Sequence, residues 1–202
     1  MTTIPAFIDA RRSIRSFTTE SVSLDALDAL VAAACSAPAP HHSRPWRFVV
    51  VHSHAAKQRL AEGMSTRWRA DLGADGVDPS RIDELVARSH AKIVDAPALV
   101  LGCLTWDGLD RYPDADRQRA EWGMALLSLG AAVENLMLAA AASNLASCWV
   151  AAPIFCPEAA RDALDLAEHW LPHALVMVGR PDPSYVPRPR PPIPLEDLRA
   201  RR

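Results

Sequence analysis

With 202 residues, half of them hydrophobic and 23% charged, the chain has the makeup of one soluble domain, or of one that completes its core by dimerising. Its 22 basic and 24 acidic residues leave a formal net charge of -2, which argues against general affinity for nucleic acid or anionic lipid. Four cysteines stand far apart without CxxC spacing, and Met1 to Ala10 lacks the basic start and apolar run of a signal peptide, so a reduced, cytoplasmic setting is expected.

Leu24, Leu27, Leu30, Val31 and Ala34 recur at helical spacing, with Ser23 placed to cap, and Ala37-Pro38-Ala39-Pro40 must end that helix. The valine-rich Arg47 to Ser53 reads as a strand. Leu60, Met64, Trp68 and Leu72 place a helix over His54 to Leu72. Gly73 to Pro79 is a loop, and Ile82, Leu85, Val86 and Ile93 mark another helix. The apolar run Ala98 to Thr105 fits a central strand. Trp106 to Asp116 is a polar loop. A long helix follows from about Arg117 to Ser143, with Asn144 as a left-handed terminator. Its stretch Met124 to Ala142 is apolar enough to raise a membrane span, but Glu134 and Asn135 at its centre favour burial in protein, for which a subunit interface is one setting.

Ser147 to Ala152 and Ala174 to Gly179 read as strands, with a short helix over Pro157 to Leu164. Seven of the 17 prolines fall between Pro181 and Pro194, marking residues 181–202 as a proline-rich arm that is either disordered or laid across a surface. No repeat or linker divides the chain, so a single domain over 1–202 is expected. Alternating helices and strands imply an α+β (α/β sandwich) layer structure, a mixed sheet flanked by helices. None of the eight glycines forms a GxGxxG or P-loop, which argues against those nucleotide sites.

Four segments are candidates for chemistry. In Arg11-Arg12-Ser13-Ile14-Arg15, an extended backbone would put Arg11, Ser13 and Arg15 on one side as a phosphate receptor; a solvated basic run is the bland alternative. Only Lys57 and Lys92 among the cations are lysines, a bias that suits phosphate binding but that codon usage explains as well. Ala37 to Phe48 is a stiff loop in which His41, His42, Ser43 and Arg44 supply donors, or a rigid turn with Trp46 in the core. Adjacent histidines make a poor metal site, and no metal is expected. Trp149 to Phe155 runs from a strand into an apolar bend that could face a planar ring or be ordinary core. Arg188-Pro189-Arg190 is a second clamp or a loose basic end. With no GxSxG and no activated cysteine, the chemistry points to a cofactor and not to a catalytic side chain.

Taken in order, Arg11-Arg12-Ser13-Ile14-Arg15 with Phe17, the Arg44-Pro45-Trp46-Arg47-Phe48 loop, the alanine-rich helix leading to Ser147-Cys148-Trp149, and Gly179 resemble the nitroreductase superfamily of FMN flavoproteins. Pro38 to Ser43, Trp68 to Leu72, Tyr112 to Ala115, Ile154-Phe155 and Pro187 to Pro192 are most similar to one branch, the FMN-binding C-terminal domain of the F-420:gamma-glutamyl ligase. The resemblance implies an FMN-dependent oxidoreductase acting through hydride transfer at flavin N5, reducing a dehydro-F-420 precursor in F-420 biosynthesis. The alternatives are a general NAD(P)H-dependent nitro- or quinone reductase and a flavin or F-420 storage protein. It implies that Arg11, Arg12, Ser13 and Arg15 hold the phosphate and ribityl, with Arg188 closing over them. Pro40, His41 and Ser43 would lie beside the flavin and Ala151, Ala152 and Pro153 along the ring. Arg67 and Arg69 are candidates to meet a small anionic acceptor. A homodimer sharing each site is implied, with NAD(P)H or reduced F-420 as donor.

Overall fold

The computed structural model describes residues 4–202; Met1, Thr2 and Thr3, part of the expected domain and of the opening segment, lie outside the described residues. Eleven elements carry the fold: α1 (Ile4–Ala10), α2 (Leu24–Cys35), β1 (Trp46–Val51), α3 (His54–Ala74), α4 (Pro79–Asp95), β2 (Ala98–Leu104), α5 (Ala115–Ala142), β3 (Ala146–Val150), α6 (Pro157–Ala163), β4 (Leu171–Gly179) and α7 (Leu195–Leu198). The strand order is β1-β2-β4-β3, with each ladder antiparallel. A parallel bridge from Ser13 to Ser147 makes the sheet mixed.

Side-chain alternation along β2 builds two cores. Ala98, Val100 and Leu104, with Ala174, Val176 and Val178 of β4, meet α2 and α5 on one face. Leu99, Leu101 and Cys103, with Leu175 and Met177, meet residues of α3, α4 and α6 on the other. Burial on both faces explains why β2 is apolar at every position. It also leaves the Cys103 thiol in a fully apolar setting, and that burial pushes its pKa up to about 12.

Helix α5 is long and apolar enough to cross a membrane. Here it is a core helix, because Leu129, Ala132, Val133, Leu136, Met137 and Ala140 are buried against the sheet and α2. Local signals set the helix ends. Ser23 caps α2 by accepting from the Ala26 N–H, and Asp114 caps α5 by accepting from that of Arg117. Asn144 takes φ 56° directly after α5, as a left-handed terminator does.

The differences from the sequence reading are local. Helix α1 was not expected, since seven residues offer too little periodicity to see. Strand β4 begins at Leu171, three residues before the apolar run at Ala174. Pro172 is tolerated there because the register shifts between Gly102 and Cys103, a bulge where ladder bonding is already broken.

Candidate active site

After α1 the chain runs extended along β3. The Ile14 N–H donates to the Ser147 carbonyl at 3.0 Å, and the Thr18 N–H to that of Arg180 at 3.0 Å. Phe17 also bridges Pro181, just past β4. This route passes over Gly179, where a Cβ would sit 2.7 Å from Pro97 and 2.9 Å from Phe17, so only glycine fits.

The arm beyond β4 folds back onto the same segment. The Asp182 N–H donates to the Ser16 carbonyl, and further along Arg12 donates to the carbonyl of Arg188 and Arg190 to that of Arg11. Thus the Arg12 and Arg190 guanidinium groups and the Arg188 backbone come to the segment that carries Arg11, although Arg11 and Arg188 are far apart in sequence. The acids engaging them are Glu134, 2.9 Å from Arg11 Nε, and Asp9, 3.9 Å from Arg190. Arg11 Nη1 is buried without a partner among the described residues. A buried donor left unsatisfied is costly, so an external acceptor would be favoured there. Arg11, Arg12, Asn144 and Ser147 line the adjoining cavity of about 240 Å³.

Arg15 lines a different cavity, of about 210 Å³, with Arg88, Ser89 and Lys92 of α4, Val150 of β3 and Met177 of β4. Arg11 and Arg15 therefore line different cavities, with Ser13 between them in sequence and in the bridge to β3. Among the described residues neither Arg15 nor Lys92 has a carboxylate partner, while Arg88 has Glu84 at 3.9 Å. Both cations influence Cys148 of β3: burial raises its thiol pKa, and Arg15 and Lys92 pull it down. Arg88, Ser89 and Lys92 are not among the site residues the sequence suggests. The one available signal was that Lys92 is among only two lysines.

Trp68, Ser89, Ile93 and Val150 also line a larger cavity of about 500 Å³, completed by Met64, Ala152, Phe155 and Cys156, so the two adjoin across shared walls. Of the three residues expected along a ring, Ala152 faces this cavity, Ala151 is exposed beside it and Pro153 is buried beneath. Arg67 lines the cavity, but its Nε binds both oxygens of Asp71, at 2.9 and 3.1 Å. Arg69 does not line it and pairs with Asp83 of α4 at 2.5 Å.

Pro40, His41 and Ser43 are not brought to these cavities within one chain. They precede β1 at the end of the sheet where Trp46 pairs with Leu104 and Leu104 with Leu171. Ser13 meets Ser147 at the opposite end, where Ser147 pairs with Val178. The loop is strained, with φ of 52° at His41, 54° at His42 and 47° at Arg44. Ser43 Oγ is buried without a partner among the described residues. Pro38, Ala39 and Pro40 join Met124, Leu127, Ser128 and Ala131 of α5 around an open cavity of about 410 Å³, and Leu127 is 77% exposed. Among the described residues no three His, Cys, Asp or Glu side chains gather as metal ligands.

An α+β sandwich with cations beside an apolar cavity offers charge for an anionic group and walls for a flat ring. Residues 8–180 match the model of the Nitroreductase family, and the chain belongs to that family of flavoprotein oxidoreductases. Over 186 residues it is 26% identical to 5,6-dimethylbenzimidazole synthase from Rhodospirillum rubrum, covering 88% of this chain and 82% of the relative. Over 84 residues it is 31% identical to iodotyrosine deiodinase from Haliscomenobacter hydrossis, covering 36% of this chain and spanning only 38% of the relative's length. The fold matches a BluB-like flavoprotein from Clostridium difficile with a TM-score of 0.77, 20% identity and 99% of each chain covered. It also matches a nitroreductase with bound FMN from Bacteroides fragilis, with a TM-score of 0.71, 21% identity and 96% of each chain covered.

Proposed function

We propose that the chain is an FMN-dependent oxidoreductase that works as a homodimer and reduces a conjugated organic acceptor. The observation that carries this reading is the return of the arm onto the N-terminal segment. It holds the Arg12 and Arg190 side chains on the backbone of Arg188 and Arg11, and Arg11 itself carries a buried, unpartnered guanidinium nitrogen. Forked, permanently charged donors suit a phosphate dianion, so these residues fit the phosphate end of FMN. Ser13 and Ser147 lie beside them. Arg15, Ser89 and Lys92 would hold the polar edge of the ring, and Val150 and Ala152 would support its apolar part. Bound flavin would supply the hydride chemistry. The chain's part is to bind, orient and place positive charge where negative charge develops.

Two subunits are needed for Pro40, His41 and Ser43 to reach such a ring, because they stand at the opposite end of the sheet. The exposed apolar Met124 and Leu127 of α5, beside Pro40, support a two-fold contact there.

Reduction of a dehydro-F-420 precursor is supported by the likeness of the Pro38 to Ser43, Trp68 to Leu72 and Pro187 to Pro192 segments to the F-420 ligase module. That acceptor is anionic, and the two cations expected to meet it are engaged by Asp71 and Asp83. This occupancy favours the second reading, a general nitro- or quinone reductase. The first test is the absorption spectrum of the purified protein with identification of the released chromophore. FMN near one per subunit is expected. A colourless protein that takes up no added FMN would overturn the reading. Anaerobic reoxidation of the reduced protein by the F-420 precursor or by a neutral quinone then separates the two acceptors.

A further inference from the structure

Arg11 is tied down at three points. Its N–H donates to the Ile8 carbonyl in α1 at 3.3 Å, its own carbonyl accepts from the Arg190 guanidinium, and its Nε donates to Glu134 Oε1 at 2.9 Å. Nη1 of the same side chain is buried and has no partner among the described residues. Glu134 stands in α5 and is the sole charged residue between Met124 and Ala142. A carboxylate in so apolar a stretch is costly unless it is paired, and such a pair is often no more stable than apolar residues of the same size. Stability alone therefore gives little reason for the acid. Its neighbour Asn135 serves the core, donating to the Ala33 carbonyl of α2 at 3.4 Å. Glu134 instead reaches a side chain 123 positions away in sequence, and that side chain is only 19% exposed. Arg11 lines the cavity of about 240 Å³ together with Arg12, Asn144 and Ser147, whereas Glu134 does not line it.

We propose that Glu134 is the positioning residue of this anion site, holding the Arg11 guanidinium by Nε so that Nη1 is kept for a phosphate group. The inference rests on the flavin reading for the identity of that group as the phosphate of FMN. A long, flexible side chain loses rotamer freedom when a ligand immobilises it, and ordering it beforehand removes that cost. One hydrogen bond at Nε orders the whole fork, because the guanidinium is rigid and planar. The carboxylate also acts in the opposite direction, since its negative charge weakens the pull of Arg11 on an anion. The two effects separate in variants. Glu134→Gln drops the charge but keeps an oxygen that accepts from Nε. Glu134→Asp keeps the charge but withdraws it by one methylene, which either breaks the bond or draws Arg11 out of place. Glu134→Ala removes both charge and bond.

The test is titration of the full chain, freed of bound flavin, with FMN and with riboflavin, followed by flavin fluorescence. Glu134→Ala and Glu134→Asp should each weaken FMN about three- to tenfold, the range for one rotamer-rich side chain left unordered. Riboflavin, which has no phosphate, should bind all variants alike. Glu134→Gln should bind FMN at least as tightly as wild type. In an Arg11→Ala background, Glu134→Ala should change FMN affinity by less than about twofold, because the group it positions is gone. Glu134→Gln and Glu134→Asp carry the test if Glu134→Ala fails to fold. The proposal is overturned if Glu134→Ala or Glu134→Asp holds FMN as tightly as wild type, or if Glu134→Gln is as weak as they are. It is equally overturned if riboflavin is lost in parallel, or if the full effect persists without Arg11. Inorganic phosphate judges the flavin reading separately. A chain that takes up neither flavin loses that reading, yet this inference stands if phosphate raises the Tm of wild type and Glu134→Gln more than that of Glu134→Ala and Arg11→Ala. An equal rise in all four would overturn it.

Discussion

Replacing Gly108 by alanine should loosen the strained loop at residues 40–44 and leave the rest of the fold standing. Gly108 has φ 75°, and a Cβ there would lie 2.9 Å from the carbonyl oxygen of Ser43 and 3.4 Å from its Cα. An alanine in the left-handed region costs about 1–2 kcal/mol. The contact is with backbone, so it cannot be relieved by a rotamer change and adds a cost of about 1–2 kcal/mol, in the range for overpacking. The sum, about 2–4 kcal/mol, corresponds for a chain of this size to a drop in Tm of roughly 4–16 °C. Gly73, exposed in the last turns of α3, has nothing within 4 Å of its Cβ position, so Gly73→Ala serves as the control. It should be neutral or stabilise by up to about 1 kcal/mol. Urea unfolding followed by tryptophan fluorescence reads both variants. If Gly108→Ala lost less than about 0.5 kcal/mol, or no more than Gly73→Ala, the close packing of Gly108 on Ser43 would be refuted.

Arg12→Ala removes a guanidinium from the arginine cluster and the bond that draws in the Arg188 backbone, so FMN affinity should fall about tenfold or more and become less salt-dependent, as measured by flavin fluorescence titration. Above about pH 9 stability should fall, because the Cys103 thiol is held up to about 12 in the fold while the unfolded chain ionises near 9.0. The contribution is whole below pH 9 and is lost as pH rises through the folded value, so Cys103→Ala should flatten the alkaline limb of a Tm–pH curve. On the acid side the Arg117 N–H and side chain hold the Asp114 carboxyl below its usual 3.8. That stabilisation is present above pH 3.8 and disappears as pH falls through the lower folded value. Asp114→Asn should therefore lose part of the acid-limb slope in the same measurement.

The expectations that succeeded rest on local physics. A serine just before a run of 3.6-residue periodicity is placed to cap, as Ser23 does, and the alternating prolines of Ala37 to Pro40 interrupt the helix. An asparagine after a long alanine-rich helix readily takes the left-handed conformation, and Asn144 does. The unbroken apolar run of β2 announced burial on both faces. Signals shorter than a few turns were not legible, as α1 shows. Nor was the start of β4, where a proline would have argued against a strand without the bulge at Gly102 and Cys103 opposite it. The Arg67–Asp71 pair was within reach, because residues four apart on a helix are neighbours.

For the site, the sequence by itself determined which groups exist: an arginine-rich opening, a second basic pair in a proline-rich arm, and an apolar bend after β3. Tertiary structure alone decided their company. The arm's return puts Arg188 and Arg190 on Arg11 and Arg12, and the packing of α4 against the sheet brings Lys92 toward Arg15. Asp83 draws Arg69 away from the cavity that Arg67 lines. The strained loop of Pro40 to Ser43 stands at the far end of the sheet from Ser13 and Ser147. Such contacts join residues tens to hundreds of positions apart, and no periodicity encodes them. They follow from strand order and helix packing, which exist only once the core has formed.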